Sequence, residues 1–151
     1  MSKRKIIASN RKAKFEYFLL DQFEAGIVLR GSEIKSIRAR KVSIAEAYVQ
    51  IKDNQAWLLN ANISPYDPAS RQNHDPNRKR KLLLHKKEIL KIWSAIMQKG
   101  LTVIPTEIYL VDGLAKINIA LAKGKKMYDK RREIAKKDME REMEGHLSRR
   151  K

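Results

Sequence analysis

The 151-residue chain contains no cysteine. Disulfides, thiolate catalysis and cysteine-based zinc sites are therefore excluded, and such a composition fits a reducing compartment. Histidine is also scarce. His74, His85 and His146 are scattered, with no pair at metal-ligand spacing, and read as structural or solvated groups. There is no P-loop, no dinucleotide-binding glycine pattern and no nucleophile elbow. No segment approaches the roughly 18 to 20 apolar residues that cross a bilayer. The opening MSKRKIIASN is basic but lacks an apolar run of signal-peptide length. These absences predict a cytoplasmic protein with no catalytic residue, no metal, no cofactor, no small-molecule substrate and no membrane.

Acidic residues are the other shortage. Seventeen Asp and Glu face 34 Lys and Arg, a formal net charge of +17. Such an excess is unusual for a neutral enzyme and ordinary for an RNA-binding protein. The densest cluster, AKGKKMYDKRR (Ala122 to Arg132), follows two strand-like segments and precedes a charged tail. Cations packed so closely repel one another unless a polyanion neutralises them. A membrane surface would do so too, but the basic segments lack a continuous Trp/Phe/Leu-rich face. A hydrophobic fraction of 42% suffices for a compact core.

The pattern divides the chain into a flexible basic arm (1–14), a folded body (15–126) and a tail (127–151). In the body, Phe15 to Leu29 reads as a long, bent strand with a bulge or bend at Gly26. Gly31-Ser32-Glu33 opens a short helix, with Ser32 as its cap and Glu33 in its first turn. Ala47 to Ser64 reads as a hairpin turning at Asp53-Asn54. Pro65 to Arg80 holds three of the four prolines and reads as a loop. Arg71, Arg78, Lys79, Arg80 and Lys81 there make a second basic cluster. Lys86 to Lys99 has the clearest helical period, in Ile89, Leu90, Trp93, Ile96 and Met97, with Gly100 as its C-cap. Asp112-Gly113 joins strands Thr102 to Val111 and Leu114 to Ala122. The fold class is thus mainly β: about six antiparallel strands in an OB-fold-type barrel with inserted helices and a flexible basic C-terminal tail. A split βαβ sheet is the runner-up.

Glu24 and Glu33 stand out as acids in a basic chain. Each either compensates charge and caps a helix, or orders cations and accepts from a base edge or 2′-OH. Tyr17, Tyr48, Tyr66 and Tyr128 could stack on unpaired bases, although Tyr17 and Tyr48 lie on strands where core packing is equally expected. Trp57 and Trp93 fit the core better. In the tail, Glu133 with Lys137 and Lys136 with Glu140 support a helix. Ala135, Met139, Met143 and Leu147 form only a thin apolar stripe, so the tail is expected to be disordered when free and helical when bound. A helix resting on the barrel is the alternative.

Four strings in order, ASNRKAKFEY (Ala8 to Tyr17), FEAGIVLRGSEIKSIRARK (Phe23 to Lys41), DPNRKRKLLLHKKEI (Asp75 to Ile89) and AKGKKMYDKRR, give the chain its resemblance to the SsrA-binding protein family, from about Ile7 through Arg132. The resemblance implies an OB-type barrel without enzymatic activity that binds the tRNA-like domain of tmRNA and carries it to stalled ribosomes. It further implies that the tail becomes a helix in the empty mRNA channel, beside small-subunit rRNA. Carried over by motif position, it assigns RNA contact to Glu24, Leu83 and Lys116, and matches Tyr17 and Tyr48 to aromatic positions of the family. Arg78, Arg80, Lys81, Lys123, Lys125 and Lys126 are the expected phosphate partners. Tyr128, Asp129, Lys130 and Arg131 match the segment that serves the ribosome. The family often has Gly where Arg40 stands and His where Phe15 stands. A generic basic RNA-binding or ribosome-associated protein is the alternative function. A nuclease would need an acid–base or metal constellation that the sequence does not offer.

Overall fold

A computed structural model describes residues 4–66, 73–125 and 135–141. The chain opens with strand β1 (Arg4–Ser9) and a one-and-a-half-turn helix α1 (Arg11–Glu16). Asn10 starts that helix, its side-chain oxygen accepting from the Ala13 N–H at 3.1 Å. Strand β2 (Tyr17–Ile27), helix α2 (Gly31–Arg38) and the short strand β3 (Val42–Ser43) follow. Next come β4 (Tyr48–Lys52), β5 (Gln55–Leu59), β6 (Asn62–Ile63), β7 (Arg80–Leu83), helix α3 (Lys86–Lys99), β8 (Thr102–Val111) and β9 (Leu114–Gly124).

Seven strands form one antiparallel sheet in the order β1-β8-β9-β2-β7-β5-β4, and β3 pairs with β6 alone. β4 packs back against β8, so the sheet curls around its own core. Irregular register between Ile6 and Ala8, Leu19 and Gln22, and Pro105 and Glu107 supplies local bending. Pro105 is tolerated on an interior strand because it sits at one of these irregularities. Both hairpin turns use left-handed backbone. Asp53 and Asn54 have φ of 53° and 59°, and Asp112 and Gly113 have 51° and 81°, which matches strand twist. Alternation then sorts the side chains: on β9, Ile117, Ile119 and Leu121 are buried inside. Ala122 on the other face is covered by Ala13 of α1 and Ile104.

The mainly β architecture with inserted helices is as expected, but several elements differ from the sequence expectation. The main sheet has seven strands rather than six. Part of the excess comes from the segment read as a flexible arm, which is an edge strand: Arg4 pairs with Val111 and Ser9 with Glu107. Only Ile7 of that strand is buried, so its local pattern was too polar to read as β. Phe15 belongs to α1, which ends at Glu16, and β2 begins at Tyr17. Gly26 is not a bulge. A Cβ there would stand 3.3 Å from Leu83 Cβ, so glycine permits close approach of β7. Ser32 does not cap α2: the cap position is Arg30, whose N–H donates to Glu33 Oε1 at 2.8 Å.

On α3 the bounds are as expected, but the buried positions are Ile89 and Ile92, with Ile96 packed beside them. Leu90, Trp93 and Met97 form an adjacent stripe that is half or more exposed, so Trp93 is not a core residue. Residues 135–141 are helical and exposed along their whole length.

Candidate nucleic-acid interface

The register of three strands builds the site. Gly26 on β2 opposes Leu83 on β7 and Lys116 on β9, and Glu24 opposes Asn118. Period-2 alternation turns Glu24, Lys116 and Leu83 to the outer face of the sheet. Glu24, Lys81 and Leu83 line an open groove of about 410 Å³ whose far side is formed by Asn54, Gln55 and Glu88. Leu83 is 55% exposed, an apolar side chain presented to solvent within a basic surface. The structure thus brings together Glu24, Lys81, Leu83 and Lys116, four residues expected at the RNA site.

Glu24 is held from below. The Tyr109 hydroxyl donates to its Oε2, and Lys116 Nζ donates to Oε1 at 3.2 Å. The Tyr109 bond, and then Lys116, hold the Glu24 carboxyl below its ordinary value, so it stays ionised. Burial and the neighbouring carboxylate push the Tyr109 hydroxyl well up, so it remains a donor. Behind Tyr109, Asn118 donates to Glu107 at 3.1 Å, and Arg4 pairs with Glu107 while lying 3.7 Å from the Tyr109 ring centroid. The segment expected to be a loose arm therefore buttresses the site. Tyr109 went unread in the sequence, although the Asp112-Gly113 turn fixes its place opposite Lys116.

The second basic cluster is split by the fold. Arg80 alternates with Lys81 on β7, so it points inward beside Leu82 and is 0% exposed. Its Nε donates to Glu33 Oε2 at 2.5 Å, and its terminal nitrogens donate to the carbonyls of Ala61, Arg78 and Pro76. The expectation that Arg80 meets RNA is corrected: it is a structural arginine. Arg78 is largely spoken for as well, donating to Glu33 Oε1 at 2.5 Å with 24% of its side chain exposed. Burial raises the Glu33 carboxyl, but the bonds from Arg78, the Arg30 N–H and Arg80 outweigh it, and the net shift is downward. Arg80 is lowered by burial and held up by Glu33, yet a guanidinium keeps its charge throughout the physiological range. His74 completes this region. Its Nε2 donates to the Ile63 carbonyl at 2.7 Å, and Nδ1 lies 2.8 Å from Ser32 Oγ.

Tyr17 and Tyr48 line a separate pocket of about 200 Å³ with Lys12 and Glu46, away from the Glu24 groove. Tyr17 is half-buried against the Ala13 cluster, whereas Tyr48 is 41% exposed. Lys123 is exposed on β9. Lys125 donates to the Lys14 carbonyl at 3.1 Å and lies 5.0 Å from the Phe18 ring centroid. Lys126, Tyr128, Asp129, Lys130 and Arg131 lie outside the described residues, as do Arg71 and His146. Among the described residues no three metal-ligating side chains cluster, and no helix is long and apolar enough to cross a membrane.

Comparison with known proteins covers most of the chain. The family model described as SmpB protein matches residues 7–149. The SsrA-binding protein of Desulforudis audaxviator (strain MP104C) is 50% identical over 92% of this chain and 91% of its own length. That of Wolbachia sp. subsp. Drosophila simulans (strain wRi) is 54% identical over 91% of this chain and 93% of its own. A chain in the solved structure "tmRNA-SmpB: a journey to the center of the bacterial ribosome" superposes with a TM-score of 0.67 and 45% identity, covering 80% of this chain and 85% of that one.

Proposed function

The chain belongs to the SmpB family, and from that premise we propose that it binds the tRNA-like domain of tmRNA and delivers this RNA to stalled ribosomes for trans-translation. It acts as a binding protein in the cytoplasm, without catalysing a reaction. Its tail, from Tyr128 through Arg131 onward, occupies the empty mRNA channel. The body supplies RNA capture through the groove that runs across β2 and β7.

The observation that carries this reading is Glu24. In a protein of net charge +17, a carboxylate cannot attract phosphate. Yet Tyr109 and Lys116 hold this one ionised at the mouth of the groove. An acceptor so placed suits a base-edge amino group or a 2′-OH, the groups that distinguish one RNA from another. Lys81 and Lys116 suit the flanking phosphates, and Leu83 suits the apolar face of a base or sugar. The pairing of one fixed acceptor with nearby cations favours a selective site over uniform phosphate attraction.

The test is affinity for tmRNA and for bulk tRNA at about physiological salt, where long-range attraction is screened. The wild-type chain should prefer tmRNA. Glu24→Ala should weaken tmRNA binding about tenfold, the loss expected of one well-placed base-edge contact, while bulk tRNA binding stays unchanged. Should Glu24→Ala bind tmRNA as the parent does, the chain is a generic basic RNA-binding protein.

A further inference from the structure

The groove does not end at Leu83. Lys81, two residues back on the same face of β7, opposes Trp57 on β5, and Trp57 opposes Gln50 on β4. Burial on β5 alternates, with Ala56 and Leu58 fully buried and Gln55, Trp57 and Leu59 on the opposite face. Trp57 therefore lies on the outer surface of the sheet, contrary to its expected place in the core. Lys79 Nζ sits 4.5 Å from the indole centroid. The lining of the Glu24 groove already reaches Gln55, next but one to Trp57 on the same strand.

The spacing fits a polynucleotide. Trp57 is one strand across and two residues along from Leu83, a diagonal of about 7–8 Å, close to the step between neighbouring nucleotides. Its surroundings are the polar Gln50 and Gln55 and the cations Lys79 and Lys81. A flat aromatic face beside two lysines is the arrangement that takes a stacked base and its phosphate. Lys79 over the ring does not oppose this. An exposed cation–π contact is weaker than base stacking, and a displaced ammonium is left beside the incoming phosphate.

We propose that Trp57 is a stacking platform for an unpaired nucleotide of the bound RNA, with Lys79 and Lys81 on its phosphates, continuous with the Glu24 groove. The proposal rests on the RNA-binding reading above and names a contact which that reading does not include.

The chain has two tryptophans, so Trp93→Phe leaves Trp57 as the sole indole reporter. Titrated with the tRNA-like domain of tmRNA, this variant should show quenching of Trp57 fluorescence that saturates with binding. Trp57→Ala should weaken binding about tenfold, and Trp57→Phe should recover most of the loss. Lys79→Ala should shallow the salt dependence by about one phosphate contact. Should Trp57→Ala prove unfolded, the Trp93→Phe titration and the Trp57→Phe affinity still decide the matter. No quenching by the tRNA-like domain or by single-stranded poly(U) overturns the platform, even if Glu24→Ala still loses tmRNA. Quenching by both RNAs without preference for tmRNA upholds the platform and overturns the tmRNA reading instead. Quenching by the tRNA-like domain with affinity untouched in Trp57→Ala overturns a binding role for the ring.

Discussion

Glu33 and Glu24 are both carboxylates held by cations, one sealed inside the fold and the other half in solvent. The Glu33 side chain is 0% exposed and meets Arg80, also 0% exposed, together with Arg78 and the Arg30 N–H. The Glu24 side chain is 50% exposed and meets Tyr109 and Lys116. The first cluster ties α2 to the segment leading into β7, and every one of its strong bonds is internal. The second leaves a carboxylate edge turned to the groove. An acid in a basic chain thus marks either a buried lock or an open acceptor, and burial of its partners decides which.

The largest effect expected from this difference is on folding. Glu33→Gln leaves Arg80 buried without its countercharge and should cost about 3–5 kcal/mol of stability, read as a fall in the denaturant midpoint at unchanged slope. The fraction that remains folded should bind RNA normally. An unchanged midpoint would mean that the carbonyls of Ala61, Arg78 and Pro76 suffice for Arg80, and the lock would not exist.

Acid should then sharpen the contrast. The folded-state value of Glu33 is depressed below its unfolded value. Its contribution is therefore present above the unfolded value of about 4.3 and is lost as pH falls through the lower, folded value. The stability gap between the parent and Glu33→Gln should be widest near neutral pH and close as the solution is acidified below about pH 4. Glu24 is depressed too, but its exposure means that Glu24→Gln should leave stability nearly unchanged at every pH. A gap for Glu33→Gln that does not vary with pH would show that shape rather than charge binds α2 to β7.

Local chemistry made much of the fold legible. The Asp53-Asn54 and Asp112-Gly113 turns need left-handed backbone that these residues tolerate, and they appear where expected. So does α3, whose period and C-cap glycine agree, Gly100 having φ of 63°. Arg40, with φ of 62°, adopts the left-handed conformation that glycine takes most readily, and no local signal in the sequence predicted it.

One failure was nonlocal and two were local. β1 exists because residues about a hundred positions away offer an edge, so its own polar sequence carried no signal. Arg80 was misread although the signal lay beside it: if Leu83 faces out on a strand, alternation turns Lys81 out and Arg80 in. Charge was allowed to override period. The same alternation places Trp57 outside, where its size alone had suggested the core. In the candidate site, Glu24, Leu83 and Lys116 were named through the resemblance and Lys81 through its basic cluster, whereas Tyr109 behind them needed the hairpin register.

The smallest effect is the most specific to the open cluster. Tyr109→Phe removes one hydroxyl from a ring that is itself fully buried, so packing is preserved and the stability cost should be only about 1 kcal/mol. Glu24 loses the bond that does most to hold its carboxyl down, and Lys116 alone is left to position it. If Glu24 is the acceptor for RNA and Tyr109 merely orients it, affinity for tmRNA should fall about fivefold, less than for Glu24→Ala. In combination with Glu24→Ala, Tyr109→Phe should then cost nothing further, because the group it positions is gone. A full additive loss in the double variant would mean that the Tyr109 hydroxyl acts on the RNA through another route. Asn118, 3.2 Å from it, would then be the residue to follow.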